Sequence, residues 1–188
     1  MSANAVKVSK ARTKLLDTAT RVFYTEGVNS VGVDRIIQEA GVTRATLYRH
    51  FPSKQHLITT YVEEVDRLDR EQIEALIAGE PSPTKALRAI ADCIAEQIAY
   101  AHFRGCAFLN AAAEFPDPED PVHRAVLVHR AWFLDTILAL FAQVDVDSSD
   151  DLGRRFVMLR DGAMVAGCLS EPDEVRRTFL QGVEALLA

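Results

Sequence analysis

The sequence predicts an all-α fold of about nine helices: an N-terminal three-helix unit with a helix-turn-helix layout over residues 1–52 and a larger helical body over residues 53–188. Three observations carry this reading. Apolar residues recur at helical spacing through almost every segment, and no run alternates as a half-buried strand would. Gly27, Gly41, Pro81, Pro83, Pro116, Pro118 and Pro121 stand between the periodic stretches, where chain-breaking residues belong. Charge also divides the chain. Residues 1–60 carry nine Lys or Arg against four Asp or Glu, and residues 61–188 carry twelve against twenty-three, so a basic head precedes an acidic body although the net charge is −6.

In chain order, Leu15, Leu16, Ala19, Val22 and Phe23 share one face of a first helix from about Ser9 to Thr25, which Gly27 stops. A second helix, Val33 to Ala40, buries Ile36, Ile37 and Ala40. The turn Gly41-Val42-Thr43 leads to a short third helix, Arg44 to His50, with Thr43 as its N-cap. Ser53 opens a long fourth helix whose apolar side runs Leu57, Ile58, Tyr61, Val62, Val65, Leu68, Ile73 and Leu76 until Gly79. A fifth helix covers Thr84 to Ala101, a sixth Cys106 to Glu114, and a seventh Pro121 to Gln143. The acidic stretch Asp145 to Asp151 supplies a cap and first-turn carboxylates for an eighth helix reaching Cys168. Pro172 suits the first turn of a last helix ending at Leu187.

Composition excludes several classes. With 48% hydrophobic and 26% charged residues, the chain matches soluble globular proteins. The most apolar stretch, Ala131 to Ala142, is broken by Asp135 and Thr136, so no membrane partner is expected. Met1 to Lys14 lacks the apolar core of a secretory signal, which predicts a cytoplasmic protein. Cys93, Cys106 and Cys168 form no CxxC pair and read as reduced thiols, Cys106 and Cys168 in apolar surroundings without adjacent bases. His123 and His129 lie six apart, off the i, i+4 spacing of a helical metal site. The run Asp145, Asp147, Asp150, Asp151 lacks the glycine of a calcium loop and has Phe156 in place of its terminal glutamate. No catalytic residue, metal or cofactor is expected, and a metal-dependent enzyme is the distant alternative.

The functional signal lies in residues 34–51, DRIIQEAGVTRATLYRHF, a helix, glycine turn and helix. In a unit of this kind the second helix enters the major groove with its N-terminal residues nearest the base edges. Rotating about 100° per residue from a buried Leu47 turns Phe51 and Thr43 inward and Ala45, Thr46, Tyr48 and Arg49 outward. Arg44, at the leading end, suits a bidentate contact to guanine, and Ala45 a thymine methyl. Thr46, Tyr48, Arg49 and His50 suit phosphates, Lys54 adds charge at the next helix start, and Lys10, Arg12 and Lys14 extend as an arm. The implied partner is a double-stranded DNA operator.

The run GVTRATLYRHFPSKQHL, residues 41–57, with the segment FYTEG at 23–27, resembles the signature of TetR/AcrR-family transcriptional regulators. Every residue of Leu-Tyr-x-His-Phe-x-Ser-Lys is in place from Leu47 to Lys54. The likeness implies DNA contacts by Thr43, Arg44, Ala45, Thr46, Tyr48, Arg49, His50 and Lys54. It departs at Val31 and Gly32, where family members often carry hydroxyls.

The resemblance also implies a body that binds an unidentified small-molecule effector and forms a homodimer through its last two helices. Small residues at i, i+4, Gly162 with Ala166 and Ala163 with Gly167, allow close helix approach, and Phe179, Val183, Leu186 and Leu187 form an apolar stripe. Phe103, Phe108, Asn110, His129, Trp132, Phe133 and Met158 are the candidate pocket residues. The function so implied is a ligand-released repressor on a palindromic operator. A redox-responsive regulator acting through Cys106 or Cys168, or a transcriptional activator, are the alternatives.

Overall fold

The computed structural model describes residues 9–144 and 149–188, and among them nine helices and no strand. They are α1 (Lys10–Glu26), α2 (Val33–Ala40), α3 (Arg44–His50), α4 (Lys54–Gly79), α5 (Pro83–Ile98), α6 (Ala107–Glu114), α7 (Pro121–Phe141), α8 (Ser149–Ala166) and α9 (Pro172–Leu187). Of the acidic stretch before α8, Asp145 and Asp147 lie outside the described residues. Asp150 and Asp151 occupy the first turn, each paired with the arginine four residues on.

The head folds because α1 to α3 contribute to one core: Leu15, Ala19, Val22, Phe23, Ile36, Ala40, Leu47 and Phe51 are all buried. Gly41 ends α2 in the left-handed region, φ 60°, and its amide and that of Val42 return to the carbonyls of Gln38 and Ile37. That closure suits a residue without Cβ. Gly32 stands at the N-cap of α2 with no side-chain cap, while Val31 beside it is buried in the head core. Ser9 stands at the N-cap of α1, yet its hydroxyl lies 3.4 Å from His50 Nε2 on α3 rather than on an α1 amide.

Twenty-six residues long, α4 spans about 39 Å at 1.5 Å per residue and belongs to both parts. Its first turns pack on the head, where Tyr61 meets Phe23 with ring centroids 5.7 Å apart. Its remainder packs on α5 and α7. The stripe read along α4 holds except at Leu68, which is 46% exposed, and the inward position is taken by Asp69. Positions three and four residues beyond Val65 both fall near one face of a helix, and packing against α5 and α7 selects the second.

α5 stops at Ile98, three residues before the predicted Ala101. The following backbone is drawn out of the helix toward α1, since Tyr24 Oη accepts from the Arg104 amide at 2.9 Å and donates to the Gly105 carbonyl at 3.0 Å. Gly105 takes φ 78° to make this turn.

The small residues of α8 serve two faces. A Cβ at Gly167 would come within 2.8 Å of Ile98 Cγ2 and Phe103 Cε1, and Ala163 is buried, so this pair packs inside the protomer. Nothing lies within 4 Å of a Cβ at Gly162, which borders an outward apolar groove with Ala166, Met158 and Leu186. Phe179 and Val183 are likewise buried in the protomer, Phe179 edge-on to Phe156 with centroids 6.3 Å apart.

Candidate nucleic-acid interface and the cavity behind it

Leu47 and Phe51 are fully buried and anchor α3, so the opposite side of a seven-residue helix must face solvent. Arg44, Ala45, Tyr48 and Arg49 are exposed there, Tyr48 by 40%, with Thr46 and His50 half-buried. Thr43 does not point into the core as the rotation predicted. It is exposed, and as N-cap its Oγ1 accepts from the Thr46 amide at 3.1 Å. A cap residue has extended rather than helical dihedrals, here φ −88° and ψ 157°, so a helical rotation cannot be carried through it.

The Arg44 guanidinium pairs with the Asp34 carboxylate in the first turn of α2. Both groups are exposed, and such a pair is worth roughly 0–1 kcal/mol, too little to hold Arg44 against a phosphate or guanine. Arg21 and Arg35 are different, since both lean on Glu39. Among the described residues no ion pair engages Lys10, Lys14, Arg49 or Lys54.

Lys10, Arg12 and Lys14 are helical in α1, not an extended arm. They nevertheless flank α3, because Ser9 approaches His50 and the Arg12 guanidinium lies 5.3 Å from the Phe51 ring centroid. Lys54 begins α4, whose cap Ser53 accepts from the His56 amide at 3.0 Å. One basic surface thus gathers cations from α1, α3 and α4.

Behind the head lies a cavity of about 310 Å³, at the lower end of the ~300–1,000 Å³ typical of small-molecule sites. Its walls include Thr20 and Tyr24 from α1, Tyr61, Asp69 and Gln72 from α4, and Cys106, Phe108 and Arg160 beyond them. Of the pocket residues chosen from sequence, Phe103 and Phe108 line it. His129, Trp132 and Phe133 line a narrow adjoining cleft that shares Asp69, Gln72, Gln97, Arg160 and Met164 with the main cavity.

Two choices do not belong to either space. Asn110 is exposed and donates to the Arg104 carbonyl at 2.8 Å, bracing the turn after α5. Met158 is 74% exposed on the outward groove of α8 and α9, and Met164 takes the inward place on α8. The inward polar residues Asp69, Gln72 and Gln97 were missed. For Asp69 and Gln72 the signal was a carboxylate and an amide falling in register with Tyr61, Val65 and Leu76 on the apolar side of α4, whereas Gln97 lies on α5.

Cys106 has a basic neighbour, contrary to the sequence reading. Arg160 Nη1 lies 3.2 Å from its Sγ, and both residues are buried. Burial opposes the Arg160 charge, but contact with Cys106 and the Asp161 carboxylate, 2.9 Å away, raise its pKa above the usual value. Asp161 also pairs with Arg130 at 2.6 Å, and these two arginines overcome burial to hold its carboxyl below the usual range. Cys168 is exposed.

His129 is buried flat against Phe108, rings 3.5 Å apart at 6°, and donates from Nδ1 to Asp66 at 2.9 Å. Burial lowers its pKa to about 4, against the pull of the Asp66 bond. Burial raises that of Asp69 to about 6, with Arg160 opposing and Asp66 adding to the shift.

The two shifts act on stability with opposite sign. As pH falls from about 6.5 to about 4, unfolded His129 takes up its proton first and stability is lost. Over about pH 6 to 4, folded Asp69 takes up its proton first and stability is gained. The wild type should therefore change little across this window, whereas Asp69→Asn, which removes the compensating gain, should lose urea midpoint steeply. Parallel pH profiles for the two proteins would show that Asp69 does not titrate there.

The cavity is tied to the head by hydrogen bonds. Tyr24 spans from the α1 wall to the Gly105 turn, and Arg104 reaches the Thr25 carbonyl. Glu114, at the end of α6, accepts from the amides of Val28 at 3.0 Å and Asn29 at 2.6 Å in the α1–α2 turn.

Comparison with known proteins agrees with this architecture. The family model of bacterial regulatory proteins, tetR family, matches residues 15–60. A crystal structure of a TetR-family transcriptional regulator from Streptomyces coelicolor is 56% identical, covers 94% of each chain and superposes with a TM-score of 0.92. An HTH-type transcriptional regulator of Mycobacterium tuberculosis is 40% identical over 85 residues, 45% of this chain and 42% of the relative. The HTH-type transcriptional regulator LmrA of Bacillus subtilis is 32% identical over 80 residues, 42% of this chain and 43% of the relative. The matched region thus spans about two fifths of these curated relatives. Among the described residues no helix is long and apolar enough to cross a membrane. With a head whose α2 and α3 form a helix-turn-helix and a relative matched over nearly its whole length, the chain belongs to the TetR family of transcriptional regulators.

Proposed function

We propose that the protein is a ligand-released repressor that grips a palindromic operator as a homodimer. The head, residues 1–52, reads DNA, with Arg44 and Ala45 at base edges and Thr43, Thr46, Tyr48, Arg49, His50 and Lys54 on the backbone. The body, residues 53–188, binds the effector and pairs with a second copy.

Dimerisation is supported by the outward groove of α8 and α9. Met158 is 74% and Val165 53% exposed on α8, and the open space at Gly162 admits a close helix neighbour. Burying these side chains against their symmetry mates removes an apolar surface that a monomer would leave in water. Two-fold pairing sets α3 and its mate against half-sites about 34 Å apart.

The observation that carries ligand release is the position of Tyr24, which lines the cavity and also holds the Gly105 turn to α1. A ligand pressing on this wall favours a different setting of α1 on the body, and through the shared head core it moves α3. Glu114 and Arg104 make the same connection from α6 and its preceding turn. Release then follows from tighter ligand binding to the state whose heads no longer match the half-sites.

The test is binding to the intergenic DNA upstream of its own gene against a scrambled duplex, across a salt series and with candidate effectors. Sequence-specific binding that an effector abolishes is expected, as is Glu114→Gln binding effector normally yet releasing DNA less completely. Binding indifferent to sequence, or release unaffected by Glu114→Gln, would count against the reading.

A second reading, redox-responsive release, is favoured by Cys106, whose Sγ lies at the cavity wall 3.2 Å from Arg160 Nη1. It requires release by peroxide, reversed by added thiol and lost in Cys106→Ser.

A further inference from the structure

The polar groups around the cavity are hydroxyls, two amides, Arg160 and one carboxylate, Asp69. Asp69 forms no hydrogen bond or ion pair among the described residues, although it lines the cavity and is largely withdrawn from water. Gln72 and Gln97, which both line this space, turn Nε2 to the same sulfur, Cys93 Sγ, at 3.1 and 3.8 Å, so their carbonyl oxygens are not used in that contact. Thr20 Oγ1 is buried at the α1 wall without a hydrogen-bond partner. Tyr61, Tyr100, Phe103 and Phe108 supply aromatic surface.

The one cationic side chain of the lining, Arg160, is already partnered through one nitrogen. Arg160 is held by Asp161 at 2.9 Å, contacts Cys106 Sγ at 3.2 Å and sits 5.6 Å from the Phe133 ring centroid. An anion in the cavity would share Arg160 with Asp161 and would meet Asp69 as a like charge. A neutral apolar ligand would leave the Asp69 carboxylate buried without a partner, which is costly.

We propose that the cavity is a site for an organic cation, a protonated amine or quaternary ammonium on a small aromatic or aliphatic body, with Asp69 as its counter-charge and the tyrosine and phenylalanine rings as its walls. Cations gain from both features at once, since aromatic faces attract them and the attraction rises where water is excluded. Amine N–H groups also find acceptors in the Gln72 and Gln97 carbonyls and the Thr20 hydroxyl. At pH 7 the Asp69 carboxyl, raised only to about 6, is mostly ionised and available for this pairing. The inference deepens the effector reading above and rests on it for its consequence at DNA, not for binding itself.

The experiment is calorimetry on the full-length protein with three probes of matched shape: benzyltrimethylammonium, its neutral carbon isostere neopentylbenzene, and phenylacetate. The cation should bind and the other two should not. In Asp69→Asn its affinity should fall by about tenfold or more, the scale of a lost charge-assisted contact. Asp69→Glu, which keeps the charge, should retain binding, and a circular dichroism spectrum unchanged in both variants confirms their fold. Neopentylbenzene or phenylacetate binding as tightly as the cation, no cation binding, or equal affinity in Asp69→Asn would each overturn the proposal. Operator release is scored separately. A cation that binds through Asp69 and leaves DNA bound would uphold the ligand class and refute ligand release, and release by an anion with no cation binding would do the reverse.

Discussion

Arg44→Ala is expected to cost roughly 1–3 kcal/mol of operator affinity at each half-site. A dimer making two such contacts should then bind its operator about 30-fold or more weakly, with little change on scrambled DNA. The folded state should be unaffected, since among the described residues the only partner Arg44 loses is the exposed Asp34 carboxylate. Tyr48→Ala should instead weaken binding to both sequences, because phosphate contacts position without discriminating. Fluorescence anisotropy on the two duplexes checks both, and equal losses on operator and scrambled DNA for Arg44→Ala would remove it from base reading.

If the proposed dimer forms through α8 and α9, Gly162→Glu should convert it to a monomer. The space around a Cβ at this position is open, so the substitution does not strain the protomer, and replacing glycine inside a helix even favours folding by about 0.5–1 kcal/mol. In a two-fold interface, however, it sets two carboxylates against an apolar groove beside Met158 and Ala166. Sedimentation should report monomer with full helix content. Operator affinity should drop by about 10²–10⁴, the advantage lost when two heads are no longer linked. A dimer that survives this substitution would place the interface elsewhere.

Much of the head was legible because one local rule decides it. Leu47 and Phe51 lie four apart, Gly41 permits the turn, and a seven-residue helix with two buried anchors has only one side left for solvent. Thr43 escaped that rule because it is a cap. The body was less legible. α8 is apolar on more than one side, with Phe156 buried, Met164 at the cavity and Met158 outside, so periodicity does not say which methionine faces a ligand. The stripe on α4 left Leu68 and Asp69 equally in register until the neighbouring helices were placed.

What the sequence determined by itself is therefore the set of helices, to within about three residues at their ends, and the outward face of α3. Both follow from contacts within a few residues, namely caps, turns and the 3.6-residue repeat. Tertiary structure alone decided the early end of α5, the division of small residues on α8 between the core and the outer groove, the Arg160 contact with Cys106, and the inward turn of Asp69. Each of these joins residues from distant parts of the chain. Their partners are chosen by how whole helices pack, a choice that local periodicity does not record.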